Sequence, residues 1–121
     1  MEEGHDLSGI FARLVKASKL IEKVVPFAKD DKLGYLTSCP TNIGTGMRAS
    51  VHVTLPYLGQ DQEQLKLMLN RYNLQMRGVH GEHSESPDHV YDISNKQRLG
   101  KGEAELLEEW YRGIQIILNK E

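Results

Sequence analysis

A single cysteine, Cys39, stands in these 121 residues. No disulfide can therefore close within the chain, and a lone thiol fits a reducing, cytoplasmic compartment. No apolar run approaches the roughly 20 residues of a membrane-spanning helix, and no apolar stretch near Met1 has the form of a secretory signal. Excess charge of one sign is also lacking. The formal net charge of −2 gives no long-range pull toward nucleic acid or an anionic membrane. Gly44-Thr45-Gly46 has no following Lys-Ser/Thr and so is not a Walker-type phosphate loop, and His80 and His83 lack the helix and glutamate of a zinc motif. With one cysteine and scattered histidines, no protein-held metal is expected. Repeats, low-complexity tracts and linkers are absent. Hydrophobic residues at 39% and charged residues at 26% describe one globular domain, or part of one.

Leu7, Ile10, Phe11, Leu14, Ser18, Ile21 and Val25 recur at helical spacing, which predicts an amphipathic helix from about Asp6 to Val24, ahead of Pro26. The polar connector Lys29-Asp30-Asp31-Lys32 leads to a strand-like run, Leu33 to Ser38. After a turn over Cys39 to Gly46, Met47 to Leu55 alternates, placing Arg48, Ser50, His52 and Thr54 on one face. Asp61 with Gln64 has the form of a capping box, opening a helix through Leu65, Met68, Leu69 and Tyr72. Leu74 to Val79 and His89 to Ser94 read as strands joined by the polar loop from His80 to Asp88, and loops of that kind carry function more often than core segments do. A last helix, Glu103 to Asn119, presents Leu107, Trp110, Tyr111, Ile114, Ile117 and Leu118. The element order predicts an α+β fold with a mainly antiparallel sheet flanked by helices.

The chemistry concentrates at Cys39. Ser38 and Thr41 supply hydroxyls beside the thiol, and the turn after Pro40 can aim backbone N–H groups at it. Such donors and nearby positive charge lower a thiol pKa. Without context, a free cysteine is more often a buried structural residue. Arg48, Arg77 and Arg98 lie at strand ends or loop edges; each alone reads as a solvated charge, but arginine's planar fork suits phosphate oxygens. Glu82, on the polar loop, is a carboxylate that can pair with a guanidinium or remain solvated.

The blocks Cys39-Pro40-Thr41-Asn42-Ile43-Gly44-Thr45, Arg48-Ala49-Ser50-Val51-His52, Asn73-Leu74-Gln75-Met76-Arg77-Gly78, Gly81-Glu82-His83, Tyr91-Asp92-Ile93-Ser94-Asn95-Lys96 and Arg98-Leu99-Gly100 together resemble the phosphagen (ATP:guanidino) kinases. The resemblance runs from about Asp6 to Gly113. Gly-Glu-His in the loop is similar to the arginine-kinase branch. The resemblance implies the C-terminal segment, here residues 1–121, of a glutamine-synthetase-like catalytic domain. It also implies reversible transfer of the ATP γ-phosphoryl group to L-arginine, with Mg2+ held through the nucleotide phosphates. Cys39 and Glu82 would contact the substrate guanidinium. Arg48, Ala49, Ser50, Val51 and His52 would line the nucleotide, as would Arg77, Gly78, Val79, His80, Gly81 and Glu82, with Asp92 and Arg98 on the same side. The run from Arg77 to Glu82 would belong to a loop that closes over the substrates and excludes water.

His80, and Ser86 to His89, depart from the family pattern, and Lys101-Gly102 stands where a capping residue such as Thr is expected. The family's N-terminal helical domain and earlier catalytic strands are missing, so the chain alone is expected to be nearly inactive and to expose apolar surface and sheet edge. The alternatives are another guanidino substrate (taurocyamine, lombricine or creatine), a protein-arginine kinase, or an inactive nucleotide-binding or interaction fragment. Oligomeric state is not fixed by the sequence.

Overall fold

The computed structural model describes residues 2–78 and 88–121. Helix α1, Leu7–Glu22, opens with Asp6, whose Oδ1 accepts the Gly9 amide at 3.0 Å. This cap satisfies one of the helix's free N–H groups. Two short strands follow, β1 (Lys29–Asp30) and β2 (Gly34–Tyr35), paired antiparallel. The expected strand from Leu33 to Ser38 is therefore only two residues long, and the expected connector forms its partner. Asp30 explains this: its Oδ1 accepts the amides of Lys32 and Leu33 at 2.8 and 2.9 Å, folding the chain into a tight turn.

The main sheet has three strands in the order β3-β5-β4, where β3 is Ser50–Thr54, β4 is Leu74–Gly78 and β5 is Val90–Asn95. Both pairings are antiparallel, as expected for this α+β fold. Helix α2, Gln62–Arg71, precedes β4; Asp61 accepts the Gln64 amide at 3.0 Å, the first half of the expected capping box. Helix α3, Glu103–Lys120, follows β5, and its N-cap is Gly102, which offers no capping side chain.

One face of the sheet is apolar. Tyr91, Ile93 and Leu74 pack with Leu55, with Leu65 and Leu69 of α2, and with Trp110, Ile114 and Ile117 of α3. Trp110 donates its indole N–H to the Ile93 carbonyl at 3.3 Å, satisfying a polar group that burial would otherwise strand. The buried stripe of α3 includes Leu106 and Gly113, whereas Tyr111 and Leu118 are 40% and 49% exposed. The helix is thus rotated from the sequence expectation. Gly113 lies on that buried stripe: a Cβ there would stand 2.7 Å from Leu74 Cδ1, so the helix packs more closely here than a larger residue would allow. The opposite sheet face, carrying Ser50, His52, Gln75, Arg77, Asp92 and Ser94, is left for other work.

Candidate active site

Pro40–Asn42 forms one 3-10 turn, with the Asn42 amide donating to the Cys39 carbonyl at 3.0 Å. Proline at the start fixes φ near the value the turn needs. Cys39 is exposed, so it is not a packed structural cysteine. Its Sγ lies 3.0 Å from Thr41 Oγ1. That hydroxyl first, then the Thr41 backbone amide and more weakly the Arg98 charge, pull the thiol pKa below its ordinary value. The shift favours the thiolate form, the form that can face a cation.

Gly44 seats this turn over Arg98. Its φ is +115°, and a Cβ would overlap the Arg98 carbonyl, so glycine is required for the close approach. Thr45 N–H donates to that same carbonyl at 2.8 Å, and Tyr35 N–H donates to the Gly44 carbonyl at 2.7 Å. The Arg98 side chain folds back toward the turn, with Nη1 donating to the Thr41 carbonyl at 3.4 Å. Arg98 is only 8% exposed, and its buried Nε has no acceptor among the described residues.

The sheet register supplies the other half. His52, Asp92 and Arg77 are direct partners across β3, β5 and β4, so their side chains stand in one row on the polar face. Ser50, His52 and Thr54 are exposed while Val51 and Val53 are half-buried, matching the alternation read from the sequence. Arg48 lies just before the strand but reaches the row: Nη2 binds Asp92 Oδ2 at 2.6 Å and Nη1 donates to Ser50 Oγ at 3.3 Å. Asp92 Oδ1 is buried with no donor among the described residues. Burial, then the neighbouring charges of Arg48 and Arg77, push the Arg98 pKa below its usual value. Three guanidinium groups close enough to oppose one another's charge, one with a free buried N–H, suit a ligand bearing several anionic oxygens. Nucleotide phosphates have that chemistry.

The structure thus brings together Cys39, Arg48, Ser50, His52, Arg77, Asp92 and Arg98. Ala49 and Val51 pack their side chains against the core, so only their backbone is available to a ligand. Gly78 ends β4 opposite Tyr91. Val79, His80, Gly81 and Glu82 lie outside the described residues. Among the described residues, no three His, Cys, Asp or Glu side chains are grouped to hold a metal ion. No helix among them is long and apolar enough to cross a membrane.

Sequence reasoning gave no role to Asn95. Its Oδ1 accepts the Ala49 amide at 2.8 Å, and its Nδ2 donates to the carbonyls of Met47 and Gln97 at 3.2 and 2.8 Å. It fixes the backbone on both sides of Arg48 and immediately before Arg98. An asparagine immediately after the expected strand, just ahead of Lys96 and Arg98, was the available signal.

The family model of the ATP:guanido phosphotransferase C-terminal catalytic domain matches residues 1–121. The chain belongs to this family. It is 50% identical to the arginine kinase of Artemia franciscana and to arginine kinase 1 of Drosophila melanogaster, in each case over its whole length and 34% of the relative. It therefore spans about a third of the curated relatives it matches. Among solved structures it resembles the duplicated taurocyamine kinase from Schistosoma mansoni with bound transition state analog components, with a TM-score of 0.94 and 42% identity over 99% of this chain and 17% of that one. It also resembles a lombricine kinase, with a TM-score of 0.88 and 33% identity over 98% of this chain and 34% of that one. The α+β architecture of this ATP:guanido phosphotransferase segment is that of phosphagen kinases.

Proposed function

We propose that the chain is the C-terminal part of the catalytic domain of a cytoplasmic arginine kinase, which transfers the γ-phosphoryl group of ATP reversibly to L-arginine. The observation that carries this reading is the Cys39 thiol, exposed and acidified above a cluster of three arginines. It offers one site for a guanidinium beside another for polyphosphate. The half-identity with arginine kinases supports arginine over taurocyamine, lombricine or creatine.

Arg48, Arg77 and Arg98 hold the phosphate oxygens, and Mg2+ arrives held by those phosphates. Ser50, His52, Asp92 and Gly78 line the nucleotide with the backbone of Ala49 and Val51, and Val79, His80 and Gly81 continue that lining. Cys39, as thiolate, binds the guanidinium and aligns it; Glu82 is its carboxylate partner and takes the proton that leaves nitrogen. A guanidinium nitrogen then attacks the γ-phosphorus, the bond to the β–γ bridging oxygen breaks, and ADP departs with the electron pair. Phosphoryl transfer of this kind rests on in-line positioning and charge neutralisation. Losing one donor to the transition state typically costs about 10²–10³ in rate, so the chain alone turns over slowly.

The test is coupled ADP release with arginine, taurocyamine, lombricine and creatine, on this chain alone and joined to the remaining two-thirds of the Artemia enzyme. Arginine is expected to be phosphorylated fastest by the joined protein. Turnover of none of the four by the joined protein sinks the kinase reading; preference for taurocyamine moves the substrate.

A further inference from the structure

Asp92 places one carboxylate among the three arginines of the site. It is the register partner of Arg77 on β4 and of His52 on β3, so its Cβ stands about 4.5–5.5 Å from that of Arg77. Its Oδ2 also takes Arg48 Nη2 at 2.6 Å. Two of the three arginines thus flank it. The third still feels the others: burial first, then the charges of Arg48 and Arg77, lower the Arg98 pKa, so the carboxylate offsets the cluster only in part. The pair with Arg48 is also one-pronged. Arg48 Nη1 turns to Ser50 Oγ instead, and Asp92 Oδ1 is buried with no donor among the described residues. An arginine–carboxylate pair is strongest with two parallel bonds. This one has a single bond and leaves an oxygen unsatisfied, which makes it a contact that another anion can replace.

We propose that Asp92 is the resident anion of this cluster: with the site empty it holds Arg48 in place, and it competes with an incoming phosphate oxygen for that arginine. The proposal rests on the reading of the three arginines as a phosphate site, and adds what limits the affinity of that site. Like charges a few ångströms apart oppose each other strongly where water is partly excluded. Phosphate oxygens reaching Arg48 therefore meet the repulsion of Asp92 as well as the attraction of the arginines. A site that must release its nucleotide gains from this, because tighter uniform binding does not speed the chemical step. The same carboxylate keeps the empty site folded, since without it three guanidinium groups repel one another uncompensated.

The experiment is calorimetric titration of the 121-residue chain with inorganic tripolyphosphate, which has several anionic oxygens and no base. Asp92→Asn keeps an acceptor for Arg48 but removes the charge. It is expected to bind tripolyphosphate roughly tenfold more tightly than the unaltered chain, or better. Asp92→Glu keeps the charge and is expected to bind about as the unaltered chain does. Asp31→Asn makes the same change in net charge on the exposed connector and leaves the affinity unchanged. Thermal unfolding separates this role from a merely structural one. Without anion, the Asp92→Asn chain should melt below the unaltered chain. Saturating tripolyphosphate should close most of that gap, because a ligand bound only to the folded state stabilises it more the tighter it binds. Equal or weaker binding by Asp92→Asn, or equal tightening by Asp92→Glu or Asp31→Asn, overturns the proposal and leaves the phosphate site standing. So does the lack of a melting gap, a gap that tripolyphosphate leaves unchanged, or an Asp92→Asn chain still unfolded at saturation. Binding by neither the unaltered chain nor the variant removes the phosphate site itself, and the proposal with it.

Discussion

Replacing Asn95 with alanine removes three hydrogen bonds at the point where the site is tied to the sheet. The lost partners are the Ala49 amide and the carbonyls of Met47 and Gln97, and Asn95 itself is 3% exposed. Each bond contributes about 1 kcal/mol net, and leaving a partly buried donor unpaired adds about 1 kcal/mol more. The expected loss is therefore roughly 3–4 kcal/mol, a large part of the ~5–15 kcal/mol that stabilises a domain. With a urea dependence of about 2 kcal/mol/M, the midpoint falls by about 1.5–2 M with little change in slope. Asn95→Asp separates the two ends of the side chain. It keeps the acceptor for the Ala49 amide but sets a carboxylate against two carbonyl oxygens. That raises the new carboxyl's folded pKa above its unfolded value, so the variant's deficit is largest at neutral pH and shrinks as pH falls through the folded value. An Asn95→Ala loss under about 1 kcal/mol, or an Asn95→Asp deficit that does not change with pH, refutes this account of how Arg48 and Arg98 are held.

Thr41→Val removes the hydroxyl that most lowers the Cys39 pKa, so alkylation of Cys39 by iodoacetamide at pH 7 should slow several-fold. The folded-state pKa lies below the unfolded one, so any stability from the thiolate is present above the unfolded pKa and lost as pH falls through the folded value. At so exposed a position the rate is the readout, and an unchanged rate contradicts the assignment. Gly44→Ala should cost at least about 2 kcal/mol, since backbone conformation and overlap with the Arg98 carbonyl both oppose it. Gly46→Ala, at φ +62° with nothing nearer than 4.0 Å, should cost only about 1 kcal/mol. Equal urea shifts for the two would show that close packing on Arg98 is unimportant.

Long elements with strong periodicity were legible. The stripe of α1, the Asp61 cap of α2 and the alternation of β3 each follow from local side-chain spacing. The β1–β2 pair escaped notice because an aspartate turn, not hydrophobic alternation, makes it. Strand β3 starts at Ser50 rather than Met47; ahead of it the Asn95 side chain bonds the Ala49 amide and the Met47 carbonyl, while the Asn95 amide still donates to the Ala49 carbonyl. The site residues were legible as a family pattern, and their chemistry as arginines near a thiol. Their convergence was not, since Thr41 and Arg98 are separated by 57 residues. Nor did anything local announce the left-handed backbone of His89, at φ +53°, a conformation rare for residues other than glycine.

The strand order β3-β5-β4 also governs when the site comes into being. The central strand is the last of the three in sequence, so a nascent chain ending after β4 has two strands with nothing between them to join. Only when β5 emerges does Asp92 meet Arg48, and only with Asn95 are the flanks of Arg48 and Arg98 fixed. Pairings that span more than forty residues close slowly because their loop entropy is met before any contact forms. The arginine cluster is thus a late product of folding: a partly synthesised chain holds the arginines but does not gather them.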